Sequence, residues 1–292
     1  MISAVVPTRG AADRLRRYLP TVQASLAASG DTWEVIVVDD GASLGTSWDG
    51  ARLVSIPEAR GYGPAVNAGA AAAAGDLLLV LNDDVRLEEP TVRVLREALV
   101  LRAEVFAVAP AILSPLARCG DEGGKAGRVR AGLIEIDEAP SAAAQPTLCP
   151  VGCCYLCPRQ TFQDLGGYDD VYAPFFFEDV DLGYRAWRRG LASWHVPAAV
   201  CHHEGSATIG QRPKAERLAA WHRSGALFHL RNVQDRTLRA ASFGAWAAYA
   251  LFDGRSAVTD GLAQALSRFA AAGPRREEGL SDAEILARAG GR

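Results

Sequence analysis

At 292 residues, with 49% hydrophobic and 22% charged side chains, the chain is long enough to bury a substantial core. A formal net charge of −3 argues against a nucleic-acid partner, which selects a clearly basic face. No apolar run approaches the ~20 residues that span a bilayer, and MISAVVPTRG meets Pro7 too early for a signal peptide, so a cytoplasmic location is expected.

In chain order, Ile2 to Val6 reads as a buried strand. Leu15, Leu19, Val22 and Leu26 recur at helical spacing, with Pro20 set to kink or restart that helix. Val35 to Val38 is a second strand, ending at Asp39, Asp40 and Gly41, and Arg52 to Ile56 is a third. Gly61 to Ala74 opens on Gly63-Pro64, which suits a first helical turn, and runs into alanines. Leu77 to Leu81 is apolar throughout and ends in Asn82-Asp83-Asp84. A helix over Thr91 to Arg102 and a strand over Val105 to Ala109 follow. Alternating strands and helices predict a mainly parallel α/β sheet flanked by helices, with ligands beyond the carboxyl ends of its strands. Both acidic clusters lie at such ends.

The stretch from Ala111 to Thr147 is rich in Gly, Ala and Pro, with a hairpin near Arg128 to Ile136, and is read as a mobile excursion over the site. Order returns at Leu148 to Cys157. Cys149, Cys153, Cys154 and Cys157 form one cluster, not the two spaced pairs of a zinc site, and are read as small hydrophobes in a strand. In PFFFEDVDLGYRAWRRG, Glu178, Asp179 and Asp181 start a helix that Arg185, Arg188 and Arg189 close, which matches its dipole. Three aromatics before Glu178 would also dehydrate it and Asp179, and a dehydrated carboxylate is the better proton acceptor. His202, His203 and Glu204 end a further strand, Trp194 to Val200. Beyond it, Leu218, Trp221, Gly225 and Phe228 share a helical face, and Gly273-Pro274 precedes a charged tail.

Two adjacent carboxylates after an apolar strand are either a polar turn or oxygen ligands for a hard cation. Asp39 or Asp40 is either a solvated turn or an acceptor for a nucleobase or ribose.

Taken together, AVVPTRG, VIVVDDGAS, GYGPAVNAGAAAAAGDLLLVLNDDV, GCCYLCPRQTFQDLGGYDD, FFFEDVDLGYRAWRRG and HHEGS resemble the inverting nucleotide-sugar glycosyltransferases of family 2, over roughly Ile2 to Gly210. The likeness is greatest to the rhamnosyl- and galactofuranosyl-transferase subgroup, which carries Asn-Pro-Asp where this chain has Asn82-Asp83-Asp84. The resemblance implies a GT-A (Rossmann-like) fold over 1–210, with a nucleotide-sugar half (1–110) and an acceptor half (111–210). A helical C-terminal extension (211–273) and a charged tail (274–292) complete the expected organisation. The resemblance further implies Asp179 as catalytic base, with Glu178 orienting the acceptor. Pro7, Thr8, Arg9, Asp39, Asp40, Gly63, Asn67, Asn82 and Asp83 would hold a UDP- or dTDP-sugar donor. A magnesium or manganese ion would be bound by Asp84, with Asp83 and His202. The acceptor would be a glycan hydroxyl, on a polyprenyl carrier in the lipid-linked case, in bacterial cell-envelope assembly. From the residues themselves, the excess of Lys and Arg over Glu216 and Asp235 within 211–240 fits either a peripheral membrane contact or a solvated helix. Two other readings stand beside this one. They are a non-catalytic sugar-nucleotide-binding partner subunit, and a nucleotidyltransferase, whose phosphate loop PTRGAADR matches poorly.

Overall fold

Apolar residues on both faces of the early strands dictate a sheet covered on both sides. The computed structural model bears this out; it describes residues 1–290 other than 43, 46, 47, 49, 206–208 and 253–255. Ser43 and Ser206, which end two of the motif segments, lie outside the described residues. Strands β1 (Ile2–Thr8), β2 (Trp33–Asp40), β3 (Arg52–Ile56) and β4 (Leu77–Leu81) pair in parallel in the order β3-β2-β1-β4. Beyond β4 come antiparallel β10 (Cys154–Pro158), then β6 (Val105–Leu113), β11 (Ala192–His203) and β5 (Val85–Leu87). Short β9 (Gln145–Thr147) adds to β11, and β7 (Lys125–Arg130) with β8 (Leu133–Glu138) forms a separate hairpin.

One face of the sheet is covered by α1 (Ala12–Ala27) and α3 (Thr91–Val100) over Val6, Val37, Leu79 and Leu81. The other is covered by α2 (Tyr62–Ala72), α4 (Arg159–Asp164) and α5 (Glu178–Arg188) over Val5, Val38 and Val80. Helix α1 runs unbroken through Pro20. Pro20 and Arg16 are both exposed, so the carbonyl that loses its partner faces water. Helix α2 lies close against the sheet because Gly69 has no side chain: a Cβ there would sit 2.3 Å from Val5.

The helices α6 (Lys214–Asn232), α7 (Arg236–Phe252), α8 (Ser256–Ala272) and α9 (Asp282–Arg288) follow the sheet. Tyr184 and Trp187 of α5 share a third core with Phe228 of α6, Ala265 of α8 and Ile285 of α9. The segment whose composition reads as a charged tail therefore packs on α5. Asp282 accepts hydrogen bonds from Tyr184 Oη at 2.8 Å and from the backbone of Gln234 and Asp235, and pairs with buried Arg188. Composition misses this because a buried ion pair looks like surface charge in a sequence. Among the described residues, no helix is long and apolar enough to cross a membrane.

Candidate active site

Parallel strands that end together place their terminal residues along one edge, and β1, β2 and β4 end at Thr8, Asp40 and Leu81. A cavity of about 430 Å³ opens there. Its walls include Pro7, Thr8 and Arg9 after β1, Asp40 after β2, and Asn82, Asp83 and Asp84 after β4. The other side is built by Gly152 and Cys153 before β10, by Phe175 to Asp179 at the start of α5, and by His203 at the end of β11.

The two aspartates after β4 have different surroundings. Asp83 accepts from Thr8 Oγ1 at 2.5 Å and from both Arg14 Nε (3.1 Å) and Arg14 Nη2 (3.2 Å). Burial nevertheless holds its pKa above the usual value, because these partners offset only part of the desolvation. Asp84 is 4% exposed, and its Oδ1 lies 3.3 Å from His203 Nε2. The other ring nitrogen, Nδ1, lies 2.9 Å from Glu122 Oε1. Burial pulls the His203 pKa down, but hydrogen bonds to Asp84 and Glu122 outweigh it and push it up to about 9. Carboxylate, imidazole and a supporting carboxylate on the far nitrogen make the arrangement that holds divalent ions such as manganese, so the donor set fits a cation.

His202, the expected ligand, faces elsewhere: its Nε2 lies 3.1 Å from Glu88, and it does not line the cavity. Successive strand residues point to opposite faces, so only one of the two histidines reaches the site. Sequence alone does not give the phase, because β11 carries a register shift between Val196 and Val200.

Asp179 lies in the first turn of α5, where its Oδ2 accepts from the Gly152 backbone at 3.0 Å and its Oδ1 from the Val180 backbone at 2.8 Å. Burial raises its pKa despite those bonds. The Glu178 pKa is pushed up to about 8, by burial and then by the Asp179 charge, and its Oε2 has no hydrogen-bond partner among the described residues. The backbone that delivers them is strained: Phe176 and Phe177 have φ of 78° and 69°, a region costly for an aromatic residue and typical of functional sites. Ring contacts from Phe176 and Phe177 to Trp221, at 5.4 and 5.1 Å, hold the strained turn, and Arg223 donates to the Phe175 carbonyl. Facing it, Gly61 has φ of 104°, and a Cβ there would meet Pro174 at 2.5 Å, so only glycine fits.

Folding raises the Glu178 pKa. Its stabilising contribution is therefore fully present below the ordinary glutamic value and lost as pH rises through the shifted one. Glu178→Gln stays neutral throughout, so its Tm gain over wild type should be larger at roughly pH 9 than at pH 5. Calorimetry reads the gain at about 2–4 °C per kcal/mol. An equal gain at both pH values would mean that Glu178 carries no shifted charge.

Three expected donor contacts lie off the cavity wall. Asp39 accepts from the backbone of Ala42 (3.1 Å) and Leu44 (2.7 Å), shaping the loop after β2. Asn67 clamps the Tyr168 backbone through Oδ1 (2.9 Å) and Nδ2 (2.8 Å). Gly63, in the first turn of α2, lies against Tyr168. The structure adds Glu122, Lys125, Tyr62 and Arg212 to the wall. Glu122 and Lys125 come from the irregular stretch, which has no periodicity to mark them.

Residues 3–112, the segment that carries β1 to β6 and both acidic strand ends, match the family model "Glycosyl transferase family 2". Over these residues the chain is similar to the family 2 glycosyltransferases. It is 29% identical over 262 residues to the N-acetylglucosaminyl-diphospho-decaprenol L-rhamnosyltransferase of Mycobacterium tuberculosis (strain H37Rv), covering 78% of this chain and 83% of that protein. Among solved structures, GalNAc-T7 with UDP, GalNAc and Mn2+ superposes with a TM-score of 0.58 at 15% identity, over 88% of this chain and 58% of that one. The mannosyltransferase PcManGT of Pyrobaculum calidifontis, with GDP-Man and Mn2+, gives 0.55 at 17% identity, over 92% and 80%. These likenesses show a fold of the GT-A type.

Proposed function

We propose that the protein is a metal-dependent inverting glycosyltransferase of cell-envelope assembly, moving a sugar from a UDP- or dTDP-sugar to an acceptor hydroxyl. The observation that carries this reading is the meeting of a cation-type donor set (Asp84, His203) and one dehydrated base (Asp179) in one cavity. Pro7, Thr8, Arg9, Asp40, Asn82 and Asp83 would bind the donor, with Arg14 neutralising Asp83. Asp39, Gly63 and Asn67 would act by shaping that pocket. Asp179 Oδ takes the proton of the acceptor hydroxyl as its oxygen attacks the anomeric carbon. The bond to the diphosphate oxygen breaks on the opposite face, giving inversion. One base is enough here, whereas a glycosidase needs two carboxylates about 5–10 Å apart. A divalent cation held by Asp84 and His203, with Asp83 beside them, would stabilise the charge that builds on the leaving diphosphate. Glu178 would orient the acceptor. The half-domain division at 110 and the boundary at 210 belong to the same proposal.

Incubation with UDP- and dTDP-sugars plus manganese should release the nucleoside diphosphate slowly, and faster once a polyprenyl-diphosphate glycan is added. Pyrophosphate formation from a nucleoside triphosphate would favour a nucleotidyltransferase instead. Binding without any release would favour the partner-subunit reading.

The related rhamnosyltransferase is named for a decaprenol-linked sugar. A lipid-linked acceptor here would bring the cavity to a membrane surface. The 211–240 segment expected to touch the membrane is mostly α6, whose residues 222–229 are buried. The exposed apolar face belongs to α7, which has no charged residue from Ala240 to Phe252. Ala240, Phe243, Ala247 and Leu251 point outward at helical spacing, with Phe243 58% and Leu251 77% exposed. Arg236 and Arg239 precede them, a pattern that suits anionic headgroups. Trp246 of α7 packs on His222, one residue from the cavity-lining Trp221, so the stripe lies near the mouth of the site. The protein should sediment with vesicles containing acidic phospholipid, and Phe243→Glu with Leu251→Glu should abolish this. Unchanged sedimentation of the double variant would dismiss α7 as the contact.

A further inference from the structure

Around His203 lies a group of three side chains, of which the proposed transfer uses only the histidine as a cation ligand. Glu122 comes from the loop between β6 and β7, Cys153 immediately precedes β10, and His203 ends β11. One ligand atom from each lies within 4.8 Å of the other two. All three line the cavity, so an ion can reach them. His203 Nδ1 already lies 2.9 Å from Glu122 Oε1, while its Nε2 faces Asp84 at 3.3 Å. The imidazole thus presents two nitrogens to two different sets of ligands. Cys153 is a free thiol, 4% exposed, in a cluster with Cys154 and Cys201.

The two sides differ in chemistry. Oxygen with imidazole, as on the Asp84 side, suits magnesium or manganese. Oxygen, imidazole and thiolate together suit zinc and its heavier relative cadmium, which prefer sulfur and accept tetrahedral geometry with an open fourth place. We propose that Glu122, Cys153 and His203 Nδ1 form a second cation site, selective for a thiophilic divalent ion and opposed to the cation of the transfer reaction. Tetrahedral bond lengths put ligand atoms about 3.3–3.6 Å apart, so the Cys153 sulfur must approach by up to about 1 Å while Glu122 Oε1 and His203 Nδ1 part slightly from 2.9 Å, which rotation of the Cys153 and Glu122 side chains can supply. On binding, the Cys153 S–H proton and any proton on Nδ1 leave to solvent, and bonds from sulfur, nitrogen and carboxylate oxygen to the ion form. No oxidation occurs. The remaining ring proton then sits on Nε2 and points at Asp84, so that nitrogen has no lone pair for a second ion. Zinc and manganese would compete through one imidazole without sharing a place.

The selectivity for Asp84-side ions rests on the function proposed above, but the existence of the sulfur site does not, and its test does not involve sugar transfer. The full chain is titrated with cadmium under a phosphine reductant, without nucleotide sugar, and the ultraviolet thiolate-to-cadmium charge-transfer absorption is followed. Wild type should show the band, saturating near one equivalent. Cys153→Ser should lose it, and Glu122→Gln should weaken cadmium binding about tenfold or more. Asp84→Asn and Cys201→Ser should keep it. A wild type without the band would overturn the site. So would a band that survives Cys153→Ser, or one that vanishes in Asp84→Asn, since the sulfur would then belong to the Asp84 centre. A folded circular dichroism spectrum for Cys153→Ser and Asp84→Asn keeps these outcomes decisive.

Discussion

Asp179→Asn is expected to lower kcat by about 10²–10⁴-fold, the usual contribution of a positioned general base. The amide has no lone pair basic enough to take the acceptor proton. Its oxygen can still accept one of the two backbone bonds that Asp179 now receives from Gly152 (3.0 Å) and Val180 (2.8 Å). The helix start should therefore survive, and nucleotide-sugar affinity, read by calorimetry, should remain largely intact. A drop in both kcat and donor affinity would point to a collapsed α5 rather than a lost base. In wild type, the raised Asp179 pKa puts the acid limb of the rate profile above the ordinary aspartate range. The active form is deprotonated, so the rate climbs as pH rises through that value. Asp179→Asn with wild-type turnover would remove this residue from the mechanism.

Much of the frame that delivers Asp179 is legible in the sequence. Apolar runs mark β1, β2 and β4 because a strand covered on both faces has few polar positions to break the run, whereas β3 is a half-exposed edge strand. The acidic ends of β2 and β4 are visible because nothing in a buried strand favours adjacent carboxylates. Long-range phase and pairing are not visible. Whether His202 or His203 turns inward depends on a bulge in β11 and on which neighbour supplies register. Leu148 to Cys157 reads as one strand, but only Cys154–Pro158 is paired, and the loop before it brings Gly152 to Asp179. Glu122 and Lys125 sit where composition signals only a loop, and they reach the cavity because β6 and the β7–β8 hairpin fold that loop back. Asp282 reads as tail charge until the buried Arg188 that it neutralises is seen. In each case the missing information is tertiary, since local propensity carries no record of a distant partner.

The carboxylate pair after β4 separates into two roles, and mutation should separate them as well. Asp83 is held by Thr8 and a two-point contact from Arg14, so its charge is already answered within the protein. Asp84 faces His203, whose far nitrogen rests on Glu122, a chain of groups that orients the ring toward a cation position. Asp84→Asn should therefore weaken manganese binding and cut kcat/KM by about 10²–10³-fold, the scale of a lost Lewis-acid contact of about 3–4 kcal/mol. His203→Ala should act in the same direction. His202→Ala, which loses only a half-exposed pairing with Glu88, should change kcat/KM little. Electron spin resonance of free manganese reads the binding directly, apart from turnover. Asp83→Asn should instead leave manganese affinity nearly unchanged and raise KM for the donor, because it loosens Arg14 and Thr8 at the cavity wall. If Asp83→Asn loses the ion and Asp84→Asn keeps it, the cation centre lies one residue earlier, and the pairing of Asp84 with His203 is a structural contact.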